Sequence, residues 1–208
     1  MHFTTLVLAA VSTTGLVSAL PPSTPLHFEE RADVPSPNDV KLIDVQYGGS
    51  GCPQGTVGKS ISEDKSVITL IFDKYIAEAG PNMSPAKSRA VCQINVKMAI
   101  PQGFQFGVFK ADYRGYVNIP EKAVTGVATA QYYFSGLNKN LDREVQFPGP
   151  VTADYFKEDK IDVATTIWSP CGTEAMLNIK SAVSLRGTAT KPASMTVSLP
   201  LSITYTIG

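Results

Sequence analysis

The fifteen residues that close the chain, SMTVSLPLSITYTIG, alternate apolar and polar side chains without a break. Val197, Leu199, Leu201, Ile203, Tyr205 and Ile207 fall on one side, and Thr, Ser and a proline on the other. A period of two is the geometry of an extended strand, whose successive side chains leave opposite faces. The period recurs in CQINVKMAI, where Ile94, Val96, Met98 and Ile100 oppose Gln93, Asn95 and Lys97. It recurs again in MLNIKSAVSLRG, where Leu177, Ile179, Val183 and Leu185 alternate with Asn178, Lys180, Ser184 and Arg186. Strands with one buried and one wet face belong to antiparallel sheets. Pro200 stands in the wet set and has no N–H for the ladder, which predicts a sheet edge or a bulge there.

The same reading predicts strands at 41–47, 56–61, 66–75, 107–119, 124–134, 151–156 and 162–168. Turn sequences such as SEDK, PQG and SGLNKN separate them, and the chain holds 16 Gly and 15 Pro. AEAGPNMSPAKSR reads as loop with at most one helical turn, because Gly80, Pro81 and Pro85 interrupt it. About ten short strands without a helix predict an all-β fold, an antiparallel β-sandwich.

The ends define three segments. Residues 6–19, LVLAAVSTTGLVSA, are apolar and close in Val17-Ser18-Ala19, the small-x-small pattern of a signal-peptidase site, although only His2 precedes them in place of a basic region. Leu20-Pro21-Pro22 stops any helix there, and the stretch is too short and too broken to span a bilayer. Residues 1–19 are therefore expected to be a signal peptide, 20–39 a disordered leader or propeptide rich in Pro, Ser and acids, and 40–208 one domain. No continuous hydrophobic tail follows, so no lipid anchor is expected. The expectation is an extracellular, secreted protein, free or held in a cell wall. Lys+Arg and Asp+Glu both number 18, and a net charge of zero leaves no basic field for nucleic acid.

GCPQGTVGKS ends like a phosphate-binding loop in Gly58-Lys59-Ser60. That loop needs Gly five residues before its second Gly, and Pro53 stands there, without an N–H for a phosphate. The following ISEDKSVITLIF reads as strand, turn and strand rather than helix. No nucleotide, and no other cofactor, is expected.

GSGCPQGTV, LIFDKY, SRAVCQINV with PQGFQF, ADYRGY, YYFSG, FPGP and IWSPCGTEAMLNI occur in that order. Together they resemble the fungal secreted family termed domain of unknown function 4360, over about residues 40 to 190. The resemblance implies a secreted β-rich domain and transfers no catalytic residue.

Three cysteines, Cys52, Cys92 and Cys171, leave one unpaired after a single disulfide. If 56–61 and 66–75 form a hairpin, Cys52 and Cys92 meet at the same end of it, and Cys171 is left buried or paired between chains. Cys92–Cys171 is the alternative pairing. Scattered cysteines without histidines do not make a metal site. Asn82-Met83-Ser84 is the one N-x-S/T sequon, a candidate glycosylation site in a loop, with Pro85 just after it working against occupancy.

His2 and His27 both lie before the expected domain, which leaves it without an imidazole. Catalysis by Ser-His-Asp, by Cys-His or by most zinc hydrolase sites is thereby excluded, and a non-catalytic protein is the leading reading. The alternative is a glycan hydrolase working with two carboxylates, drawn from Asp73, Asp112, Asp154, Glu158, Asp159, Asp162 and Glu174. Several of these acids are read as lying around a turn. KADYRGYVNI offers a candidate binding face: Lys110, Asp112, Arg114 and Tyr116 share one side, and Phe109, Ala111, Tyr113 and Val117 the other. The plainer account is the wet side of a strand. Tyr132, Tyr133 and Phe134 cannot all be buried on one face, and Trp168 reads as a core anchor. The candidate partners are a cell-wall polysaccharide or a host or self surface protein; a passive, glycosylated wall component is the remaining reading.

Overall fold

The computed structural model describes residues 35–36, 38–162 and 164–207, and of 199–207 the backbone alone. The segments expected to be signal peptide and leader, with His2 and His27, lie outside or almost wholly outside the described residues. Twelve strands follow in chain order: β1 Lys41–Gly48, β2 Val57–Ile61, β3 Val67–Phe72, β4 Ile76–Ala79, β5 Arg89–Ala99, β6 Phe104–Ile119, β7 Val124–Phe134, β8 Asn140–Pro148, β9 Val151–Lys160, β10 Glu174–Gly187, β11 Ala193–Thr196 and β12 Leu199–Ile207. One short 3₁₀ turn, Pro85–Ser88, is capped by the Ser84 hydroxyl.

All the pairings are antiparallel, and the strands divide into two sheets. Sheet A has five, in the order β1-β5-β10-β7-β8. Sheet B has seven, built on the long β6. Lys110 pairs with Lys160 of β9 and with Ser202 of β12, and Asn118 with Thr152 of β9 and Ser194 of β11. β9 therefore flanks one side of β6, and β12 and then β11 run along the other. β3 and β4 pair with β12 and β11 in turn, and β2 closes the edge.

The sheets pack face to face because each presents its apolar set inward. Phe106 of β6 meets Phe134 of β7 edge-on, ring centroids 5.0 Å apart. Ile68, Leu70, Val108 and Met195 from sheet B join Ile94, Val96, Leu177 and Ile179 from sheet A in one core. Two pairs of buried hydroxyls satisfy one another, as burial requires, whereas Gln93 Nε2 is buried without a hydrogen-bond partner among the described residues. The Tyr75 and Ser181 hydroxyls bond to one another across the sandwich, and those of Tyr113 and Tyr132 lie 3.4 Å apart. Desolvation raises the Tyr113 phenol to about 12, so it stays neutral. At the open side Arg143 of β8 reaches Asp159 of β9, 2.8 Å from Nε to Oδ2.

A disulfide joins Cys52, in the loop before β2, to Cys92 on β5. Gly51 explains the approach: a Cβ there would stand 2.3 Å from the Tyr75 ring, and its N–H bonds to Val91 O at 2.8 Å. The glycines around Cys52 thus seat the loop against sheet A. Gly58-Lys59-Ser60 lies in β2, with Lys59 Nζ donating to Val45 O at 3.3 Å.

Several elements differ from the sequence reading. Among the described residues of 162–168 there is no named strand, because Asp162 O accepts from the amides and hydroxyls of Thr165 and Thr166 and closes a turn. Ile76–Ala79 is a strand where a loop is expected, and Asn140–Pro148 is an unanticipated one. β9 continues to Lys160, which puts Asp154, Glu158 and Asp159 on a strand rather than a turn. Strand β12, carrying Pro200, is not an edge: it lies between β3 and β6, and its register shift falls between Ser202 and Ile203. That shift skips Phe109, which turns outward and is 38% exposed instead of joining the core.

Candidate functional site

The outer face of sheet B is set by the pairing of β6 with β9. Lys110 lies opposite Lys160, Asp112 opposite Glu158, Arg114 opposite Phe156 and Tyr116 opposite Asp154. Lys110, Asp112, Arg114 and Tyr116 therefore share one face, but its two halves differ. In the first, Lys110 Nζ lies 2.7 Å from Glu158 Oε2 and 3.6 Å from Asp112 Oδ1, and Lys160 Nζ is 3.2 Å from Glu158 Oε1. Bonds from Lys110 and Lys160 hold the Glu158 carboxyl below its ordinary range, and Glu158 raises Lys110 in return. Asp112 is buried between Lys110 and Arg114, whose Nη2 is 3.8 Å from Oδ2. These charges satisfy one another.

The second half is open. Tyr116 and Phe156 are 42% and 53% exposed, and the Arg114 guanidinium lies 4.7 Å from the Phe156 ring centroid. Here the β6–β11 ladder parts. Tyr116 N donates to Thr196 Oγ1 at 2.9 Å, while Thr196 O accepts from Tyr155 Oη at 2.6 Å. Gly115 permits the approach, since a Cβ there would stand 2.2 Å from Thr196 O. The result is a groove of about 690 Å³ lined by Arg114, Tyr116, Asp154, Tyr155, Phe156 and Thr196. It offers two ring faces, a guanidinium donor, a carboxylate acceptor and a hydroxyl. Phe156 escapes the sequence reading, and Asp154 enters it only as a candidate carboxylate, because their place beside Arg114 and Tyr116 exists only once the β6–β9 register is set.

The other candidate residues scatter. Asp73 and Asp162 are exposed in connections, and Glu174 pairs with Lys97 at 2.6 Å on sheet A. Burial raises the Asp159 carboxyl, but its partner is Arg143 at the sandwich seam. Asp112 and Glu158 are cross-strand neighbours, yet both contact Lys110, and the depressed Glu158 is no proton donor at neutral pH. Among the described residues no group of three or more His, Cys, Asp or Glu is placed to hold a metal ion. Tyr132 and Phe134 are buried while Tyr133 faces outward, and Trp168 is half-buried beside Gly107 rather than a full core residue. Cys171 is exposed, not buried. Asn82 sits exposed in a tight turn at φ 62°, separate from the groove.

Fold and site together describe an all-β, antiparallel sandwich domain with a ligand-sized groove on an outer face. The chain belongs to the family described as Domain of unknown function (DUF4360), whose sequence model matches residues 38–206. A protein of Arthroderma benhamiae described as an uncharacterized secreted protein is 43% identical over 169 residues, 77% of this chain and 69% of its own length. A solved carbohydrate-binding module, TmCBM61 in complex with β-1,4-galactotriose, aligns over 81% of this chain and 91% of its own at 11% identity and a TM-score of 0.31. A likeness of that order carries no argument about this chain. No helix among the described residues is long and apolar enough to cross a membrane.

Proposed function

We propose that this chain is exported and acts outside the cell as a non-catalytic domain that binds an extended glycan, such as a wall polysaccharide, on the outer face of sheet B. The observation that carries the reading is the placement of Tyr116 and Phe156 on adjacent strands, half exposed, beside Arg114 and Asp154. Aromatic faces take the apolar faces of sugar rings, and a guanidinium and a carboxylate supply a donor and an acceptor for hydroxyls. The secreted description of the Arthroderma relative supports the compartment. Against hydrolysis stands the commitment of Asp112 and Glu158 to Lys110.

One incubation tests it. Protein is mixed with insoluble chitin, β-glucan, cellulose and mannan, and both depletion from solution and release of reducing ends are measured. Depletion from at least one glycan without release, lost in Tyr116→Ala and Phe156→Ala, is the expected result. Release of reducing ends that is lost on replacing Asp112 or Glu158 would establish the hydrolase instead. No depletion from any of them would remove the glycan and leave a surface protein as the partner class.

A further inference from the structure

The outer face of sheet A is polar in a different way. Its outward side chains stand in cross-strand rows: Gln93, Lys180, Gln131 and Asp142, then Val91, Ala182, Thr129 and Glu144, then Arg89, Ser184, Val127 and Gln146, of which Ala182 and Val127 are buried. In the middle row the two central strands carry only Ala182 and Thr129, and the face dips there into a groove of about 350 Å³. Its wall on β8 is acidic and pre-organised. Asp142 accepts from Gln131 Nε2 at 2.8 Å and Asn140 Nδ2 at 2.7 Å; Glu144 accepts from Gln146 Nε2 at 2.6 Å and lies 3.4 Å from Arg186 Nη2. The opposite wall is basic. Arg89 and Lys180 both line the groove, and among the described residues neither makes an ion pair or a side-chain hydrogen bond.

Two idle cations facing two ordered carboxylates select the ligand's chemistry. A neutral glycan leaves Arg89 and Lys180 unused. A polyphosphate brings dense charge to both walls and has no hydroxyl donor for Asp142 and Glu144, which repel it. The ligand that suits both carries carboxylates for the cations and hydroxyl donors for the acids. Spacing adds a second condition. Arg89 stands in the row of Ser184, four residues along β10 from Lys180. At about 3.4 Å per residue their roots are roughly 14 Å apart, which fits charges repeated along a chain better than one compact anion.

We propose that this groove binds an extended acidic glycan, a uronic-acid polymer, with carboxylates on Arg89 and Lys180 and hydroxyls on Asp142 and Glu144. The site is independent of the aromatic groove on sheet B and takes a different ligand class.

The test titrates protein expressed from the full chain with polygalacturonate, with its fully methyl-esterified form and with inorganic polyphosphate. Polygalacturonate binds in a salt-sensitive way. Esterification weakens it at least tenfold, the double variant Arg89→Ala/Lys180→Ala does the same, and polyphosphate does not compete. The charge-keeping double variant Arg89→Lys/Lys180→Arg retains most of the binding, which separates loss of charge from loss of fold. Absence of polygalacturonate binding, equal affinity for the ester, indifference to the double alanine variant or equal competition by polyphosphate would each overturn the proposal. Wild-type protein run beside it on neutral insoluble glucan reads the sheet B face, so either reading can fail while the other stands.

Discussion

The two outer faces of this sandwich come from the same alternating pattern and end in opposite electrostatic states. On sheet B, Lys110, Asp112, Glu158 and Lys160 neutralise one another and leave an aromatic groove beside them. On sheet A, the acids are held by amides and Arg186, while Arg89 and Lys180 have no ion-pair partner among the described residues and stand across a floor of small side chains. A wet strand face becomes a binding surface through what its cross-strand neighbours leave unsatisfied. Charges on a single strand do not decide it.

The contrast assumes one rigid scaffold beneath both faces, and the largest expected effect comes from loosening it. Replacing both Cys52 and Cys92 by Ala opens a loop with a sequence separation of 40. This should cost about 4 kcal/mol of unfolding free energy, read as a fall in the urea midpoint. Because Cys92 lies on β5 with Arg89 and Val91, the sheet A groove should loosen first; equal stability with and without the bridge would contradict a shared scaffold. Next in size is Tyr75→Phe, which strands the buried Ser181 hydroxyl of sheet A. A loss of about 1–2 kcal/mol is expected in the same denaturation experiment, and no loss would mean that the hydroxyl pair does not couple the sheets.

Much of this scaffold is legible in the alternation of the chain alone. The pattern places a strand at 124–134, the bounds of β7, and the single core follows from the alternation in β5 and β10. β8 escapes because Arg143 occupies an inward position and interrupts its apolar set, and β4 because four residues are too few to show a period. Phe109 is misplaced by the period because one bulge inverts the phase of everything before it. At the site, Arg114 and Tyr116 can be read from β6 alone. Phe156, Asp154 and Thr196 cannot, since their proximity is a matter of register between strands distant in sequence.

Binding variants sharpen the comparison at smaller magnitude. Tyr116→Ala should weaken neutral-glycan affinity about tenfold, near 1.4 kcal/mol, without shifting the urea midpoint. A loss of stability with unchanged affinity would reassign the ring to packing. Acid should act first on sheet B. The folded Glu158 carboxyl lies below its unfolded value, so its stabilising contribution is complete above about pH 4.5 and is lost as the pH falls through the folded pKa. The turn carboxylate Asp64, lowered to about 2 by Ser62 and Ser66, behaves alike. Asp159, raised by burial, has the opposite sign: its contribution declines as the pH rises through the interval above the unfolded value. Glu121 is lowered too, by bonds from Thr190 and Lys191, so with three lowered groups against one raised Tm should fall between about pH 4.5 and 2, and Glu158→Gln should flatten the fall. The smallest effect belongs to Cys171→Ser, expected within about 0.5 kcal/mol of wild type, with the native thiol open to maleimide labelling.

Side-chain oxidative footprinting with and without a soluble oligosaccharide of the glycan that depletes the protein tests the central claim most directly. Tyr116 and Phe156 are exposed on sheet B, and Tyr133 faces outward on sheet A. Bound ligand should protect Tyr116 and Phe156 and leave Tyr133 labelled to the same extent as in the free protein. Protection of Tyr133 alone, or unchanged labelling of all three with the ligand bound, would contradict a glycan site on sheet B.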